Sequence, residues 1–136
     1  MNIYIGKDKQ DMARHAAAAA ADKIRKAIAE KGEARIIVAT GASQFEFLAE
    51  LVAESGIDWT KVTGFHLDEY VGLPVSHKAS FRGYMRERFV SKTPQPMKVF
   101  NEVDGARHAG FPRGDSRGSK GLGYPLELRR VSLGAH

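Results

Sequence analysis

The run Arg35-Ile36-Ile37-Val38-Ala39 constrains this chain more than any other stretch. It is apolar and β-branched, without the polar alternation of a half-exposed strand, which is the pattern of a strand buried on both faces of a parallel sheet. Parallel neighbours cannot be joined by a tight turn; each needs a crossover of about a dozen residues or more, usually a helix. The segments on either side of the run are therefore expected to be helical, and their patterns agree. Upstream, Lys9 to Lys31 is rich in alanine, with small or apolar residues recurring at helical spacing through Ala17, Ala20, Ala21, Ile24 and Ile28, and Gly32 is placed to end it. The alanine run from 16 to 21 reads as a helix face packing closely on a sheet rather than as low complexity. Downstream, Ser43 to about Glu54 puts Phe45, Leu48, Ala49 and Val52 on one face and Glu46, Glu50 and Glu54 on another, and Gly56 closes it.

The same alternation continues. Ile3 to Ile5 reads as a short first strand, Lys61 to Leu67 as a third, and Met97 to Phe100 as a fourth. Between the last two, a loop from Asp68 to Ser76 leads into a helix from about Ala79 to Val90, with Phe81, Tyr84, Met85 and Phe89 as its buried face, broken by Pro94 and Pro96. Strands alternating with helices predict an α/β fold: an open, mostly parallel, Rossmann-like sheet with right-handed crossovers and helices on both faces, incomplete at this length. A chain of 136 residues is one domain, long enough for a core but short for a complete doubly wound enzyme.

Composition excludes several classes. No run approaches the roughly 18 apolar residues of a membrane span, so no membrane is expected as a partner. The chain lacks cysteine, and Met1 to Gly6 lacks the pattern of a secretory leader; the expected location is the cytoplasm. The formal charge of +5 points toward nucleic acid only until it is divided. From Arg107 to His136, five arginines and one lysine face Asp115 and Glu127, a net of +4 that leaves +1 for residues 1–106. The body has no basic stripe interleaved with aromatics, so nucleic acid is not an expected partner. Beyond Ala106, 6 of the 14 glycines fall within 30 residues that show no sustained periodicity; only Leu126, Leu128, Val131 and Leu133 could form a short strand or helix. Residues 107–136 are expected to be a basic Gly/Arg-rich tail, disordered or the product of a shifted reading frame.

Two loops carry the chemistry. Ala39-Thr40-Gly41-Ala42-Ser43 lies between a strand and a helix, where free amides and the positive end of a helix dipole favour an anion. Thr40, Gly41, Ala42 and Ser43 are the candidate phosphate-binding residues. The plainer reading makes Ser43 an N-cap and Gly41 a turn residue. The loop is neither a Walker loop nor a Gly-x-Gly-x-x-Gly fingerprint, which disfavours nucleoside triphosphates and dinucleotides. Phe65-His66-Leu67-Asp68-Glu69-Tyr70-Val71-Gly72-Leu73-Pro74 then delivers adjacent carboxylates to the same edge of the sheet. Asp68 and Glu69 are the candidate catalytic residues, since a carboxylate there can act as a general base and a neighbouring acid can raise its pKa. The plainer reading has Asp68 capping the turn and Glu69 solvated. His66 and His77 have no cysteine or further histidine at ligand spacing and read as ordinary side chains; no metal is expected.

Taken together with Ser80-Phe81, these two segments resemble the glucosamine-6-phosphate deaminase family (glucosamine/galactosamine-6-phosphate isomerases) over residues 1–106. The related 6-phosphogluconolactonases share the sheet and the phosphate loop but typically lack the extended Asp-Glu-Tyr-Val-Gly-Leu-Pro run. The resemblance implies an aldose to ketose isomerisation of an amino-sugar phosphate with release of ammonia, giving fructose 6-phosphate without a cofactor. It implies that Asp68 moves a proton from C2 toward C1 through an enolamine and that Thr40 to Ser43 hold the phosphate. The family often assembles into oligomers, so a homo-oligomer is compatible with it. Ala42 and Gln44 stand where many members have Gly or Ser and Pro. The family's Gly-rich Asp-Gly-His segment and later basic residues are not found here, which leaves two other readings open: a non-catalytic phosphosugar-binding module and a 6-phosphogluconolactonase-like hydrolase.

Overall fold

Asp8 starts the first helix: its backbone is extended and its carboxylate accepts a hydrogen bond from the Asp11 amide at 2.8 Å, a typical N-cap. Helix α1 spans Lys9–Lys31, as its spacing predicts, and ends where the Gly32 amide donates to the Ile28 carbonyl. In this computed structural model, which describes residues 3–105 and 128–131, four further strands and α-helices follow before residue 90. They are β1 (Ala34–Val38), α2 (Phe45–Ala53), β2 (Val62–His66) and α3 (Phe81–Arg88), and they lead into β3 (Val99–Val103). Strands β1, β2 and β3 are parallel, with Ala34 opposite Val62 and Gly64 opposite Phe100. A fourth strand, β4 (Leu128–Val131), joins β3 antiparallel, with Phe100 opposite Val131, so the order is β1-β2-β3-β4. Leu128 and Val131 thus fall in a strand. Leu126, Leu133 and the expected disorder or frame change of the tail lie outside the described residues.

The parallel α/β sheet matches expectation, and its helices have a definite side. The strands advance in one direction across the sheet, so right-handed crossovers carry α2 and α3 over the same face. The strand residues in the hydrophobic core are Ala34, Val38, Val62 and Phe100, with Ile36 packed against them, all from that face. They meet Ala17, Ala21 and Ile24 of α1, Leu48 and Leu51 of α2, and Met85 of α3. Covering the opposite face requires the strand order to reverse, and among the described residues it does not. The helices expected on both faces are therefore seen on one, and Ile37, on the other, is 70% exposed. No helix among the described residues is long and apolar enough to cross a membrane.

Other departures have local causes. Ile3 to Ile5 is not a strand: Tyr4 stacks on His15 at 3.7 Å and its hydroxyl donates to Asp11, so the segment lies along α1 with Ile3 and Ile5 exposed. The second helix begins later than expected because residues Ala42–Gln44 form a 3₁₀ turn before α2. Of the face expected to be buried, Leu48 is in the core, joined there by Leu51, whereas Phe45 and Ala49 are exposed. Phe45 instead stacks on Tyr84 and lies under the Arg88 guanidinium, 4.3 Å from the ring centroid. At the sheet centre, Gly64 lets Phe100 lie flat across β2: a Cβ there would come within 2.5 Å of the Phe100 ring.

Candidate active site

The two loops singled out in the sequence meet at one edge. Val38 and His66 are register partners, and the ladder continues one step further as the Leu67 amide donates to the Val38 carbonyl at 3.2 Å. The segments after β1 and β2 therefore leave the carboxyl edge of the sheet side by side, where open α/β sheets bind ligands.

In the first loop, Gly41 has φ 145° and ψ 160°, a region nearly closed to other residues. This geometry turns the chain into the 3₁₀ turn, and no side chain caps either that turn or α2. Ser43 is therefore not the N-cap of the plainer reading; its exposed hydroxyl is not engaged in capping. Ala42 and Ser43 border an open cleft of about 680 Å³ shared with Lys9 and Met12 of α1. The Thr40 hydroxyl is buried and has no hydrogen-bond partner among the described residues. The Tyr84 hydroxyl donates to the Gly41 carbonyl at 3.2 Å and ties the loop to α3.

The neighbouring carboxylates of the second loop have opposite environments. Asp68 is exposed, and no hydrogen bond or ion pair reaches its carboxylate among the described residues. The Glu69 side chain is fully buried, so the expectation that it might be solvated does not hold. It accepts hydrogen bonds from the amides of Tyr70, Phe81 and Arg82 at 3.0, 3.0 and 2.8 Å and from the Ser80 hydroxyl at 2.9 Å. Burial alone would push its pKa up, but the Arg82, Phe81 and Tyr70 amides and the Ser80 hydroxyl outweigh burial and hold it below the ordinary carboxylate range. Glu69 thus occupies the N-terminus of α3, where amides and dipole favour negative charge. Both its oxygens accept hydrogen bonds.

Arg82 carried no sequence prediction, yet it organises this region. Its guanidinium, 6% exposed, donates to Glu69 at 3.2 Å, to Asp104 at 2.8 Å and to the Leu73 carbonyl at 2.9 Å. These bonds join the loop after β2, α3 and the end of β3. The sole hint in the sequence is a misfit: a cation in the first helical turn opposes the dipole unless an anion meets it. His66 is 3% exposed, and neither ring nitrogen has a hydrogen-bond partner among the described residues. Burial lowers its pKa, against the opposing influence of Glu69, Asp68 and Glu102. His77, by contrast, is exposed, and its Nδ1 accepts from the Ala79 amide.

Residues 7–115 match the family model of glucosamine-6-phosphate isomerases/6-phosphogluconolactonase. A glucosamine-6-phosphate deaminase of Pseudarthrobacter chlorophenolicus is 36% identical over 89 residues, which is 64% of this chain and 34% of that protein. Glucosamine-6-phosphate deaminase 2 of Giardia intestinalis is 38% identical over 80 residues, 57% of this chain and 30% of that one. The chain spans about a third of the length of these relatives. Among solved structures, a monomeric glucosamine-6-phosphate deaminase superposes with a TM-score of 0.67 at 24% identity, covering 77% of this chain and 43% of that chain. A 6-phosphogluconolactonase from Shewanella baltica gives 0.64 at 20% identity, covering 76% and 43%. At those identities the structural matches establish the fold alone.

Proposed function

Because the chain belongs to the glucosamine-6-phosphate isomerase/6-phosphogluconolactonase family, we propose that it carries the phosphate loop and proton-transferring carboxylate of an amino-sugar phosphate deaminase. The reaction is conversion of glucosamine 6-phosphate and water into fructose 6-phosphate and ammonium. The observation that carries this reading is the contrast at the carboxyl edge: Asp68 is exposed and unengaged, while Glu69 beside it is locked into the fold. An unpartnered carboxylate can approach a substrate proton; one that accepts from three amides and a guanidinium cannot. Asp68 is the base that takes the C2 proton and returns it at C1, through an enolamine. Glu69 is a positioning residue that fixes the backbone on which Asp68 sits. Thr40, Gly41, Ala42 and Ser43 hold the phosphate, with Gly41 setting the turn and Ser43 offering its hydroxyl. Deaminase chemistry is put first because the relatives at 36% and 38% identity are named deaminases; the matching family model takes in 6-phosphogluconolactonases as well, so lactone hydrolysis is the second reading.

The test is ammonia release from glucosamine 6-phosphate by the wild-type chain and by D68N, which should abolish it. Hydrolysis of 6-phosphogluconolactone without ammonia release would move the assignment to the lactonase branch. Sugar-phosphate binding with neither product would leave a phosphosugar-binding module, since catalysis requires a complete, correctly oriented constellation.

A further inference from the structure

His66 is a buried titratable side chain that the proposed reaction does not use, and it is not alone. Among the described residues, both its ring nitrogens and the Thr40 hydroxyl are buried without a partner. Buried polar atoms are nearly always hydrogen-bonded in a finished structure, so an orphan calls for an explanation. Their placement supplies one. His66 is the last residue of β2 and the register partner of Val38, and Thr40 follows Val38 by two residues, the period that keeps side chains on one side of an extended chain. Thr40, in the loop that leaves β1, and His66, at the end of β2, therefore stand beside each other at the carboxyl edge, next to Asp68.

We propose that His66 and Thr40 form the polar floor of the ligand site and that His66 is a specificity-determining residue, meeting a hydroxyl of the bound sugar phosphate. The charged groups facing the ring are Asp68, Glu69 and Glu102, which favour the imidazolium, and Arg82, which with burial opposes it. Burial prevails and the imidazole is neutral. A neutral ring is a poor partner for a phosphate dianion but matches a hydroxyl, which like the ring donates one hydrogen bond and accepts another. Phe81, edge-on to His66 at 6.5 Å, closes the apolar side of the ring.

The proposal rests on the sugar-phosphate reading above, and the experiment separates the two. The full chain, H66L and H66N are compared for thermal unfolding and for binding of glucosamine 6-phosphate and inorganic phosphate. Removing an orphan polar ring should raise the melting temperature of H66L, leave inorganic phosphate affinity unchanged and weaken glucosamine 6-phosphate about tenfold, the worth of one buried hydrogen bond. H66N, which keeps a donor and an acceptor, should recover part of the lost affinity. Equal sugar-phosphate affinity in wild type and H66L overturns the proposal, as does a lower melting temperature for H66L, which would mean the ring has a structural partner. Failure of the wild-type chain to bind either probe would defeat the functional reading itself, and this inference with it.

Discussion

Replacing Glu69 with alanine should destabilise the chain far more than replacing the adjacent Asp68. The Glu69 carboxylate gathers five donor contacts: the Tyr70, Phe81 and Arg82 amides, the Ser80 hydroxyl and the Arg82 Nε. In E69A the Arg82 side chain, 6% exposed, keeps Asp104 and the Leu73 carbonyl but loses one anionic partner. Breaking a buried ion pair from one side costs roughly 3–5 kcal/mol. Because Asp104 remains, the lower end applies, about 3 kcal/mol and a melting temperature lower by roughly 10 °C. That is a large share of the roughly 5–15 kcal/mol that holds a domain together. The pH dependence gives a second handle. The folded pKa of Glu69 lies below its unfolded value, so its stabilisation is complete above the unfolded carboxyl range and disappears as pH falls through the folded value. Urea unfolding followed by Trp59 fluorescence should therefore show a shallower acid-side loss of stability in E69A than in wild type. A loss under about 1 kcal/mol at neutral pH, with an unchanged pH profile, would refute the account of Glu69 as the residue that fixes α3 and the Asp68 loop.

Three further outcomes follow from the same geometry. D68N, at an exposed position that no hydrogen bond or ion pair reaches among the described residues, should change stability by no more than about 0.5 kcal/mol while abolishing ammonia release, which separates the proposed base from its neighbour in one pair of measurements. G41A should cost about 1–3 kcal/mol and weaken sugar-phosphate binding by calorimetry, because its φ of 145° strains any side chain although the nearest atom, Ser43 Oγ, leaves room at 3.8 Å. G64A forces a methyl to within 2.5 Å of Phe100 and 2.9 Å of Met97, an overpacking worth about 1–3 kcal/mol in urea unfolding, and a compensating F100L should restore part of it.

Legibility followed the range of the interactions involved. Helix α1 was readable to its last residue, because the alanine face and the Gly32 stop are local patterns, each set within a turn or two of the chain. Strand β1 was readable from its apolar run, β2 from its place between two helical patterns, and the β2 loop from its adjacent acids. Ile3 to Ile5 misled, since three apolar residues form a strand only if a neighbour offers its edge. The late start of α2 was hidden because Gly41 in its actual conformation, not Ser43, begins the turn.

The site divides along the same line. Sequence alone determined which residues arrive at the carboxyl edge, since strand–loop–helix order and right-handed crossovers leave few alternatives. It did not determine their states. Asp68 and Glu69 are neighbours of the same chemical type, and only the docking of α3 against the β2 loop, with Arg82 between Glu69 and Asp104, leaves one carboxylate unengaged and fixes the other. The same holds for His66, an unremarkable histidine in the sequence, whose neutral ring results from burial at the end of β2. Local pattern is set by contacts within a few residues, whereas burial and hydrogen-bond partnership depend on atoms 11 to 22 residues away, which only the folded chain brings together.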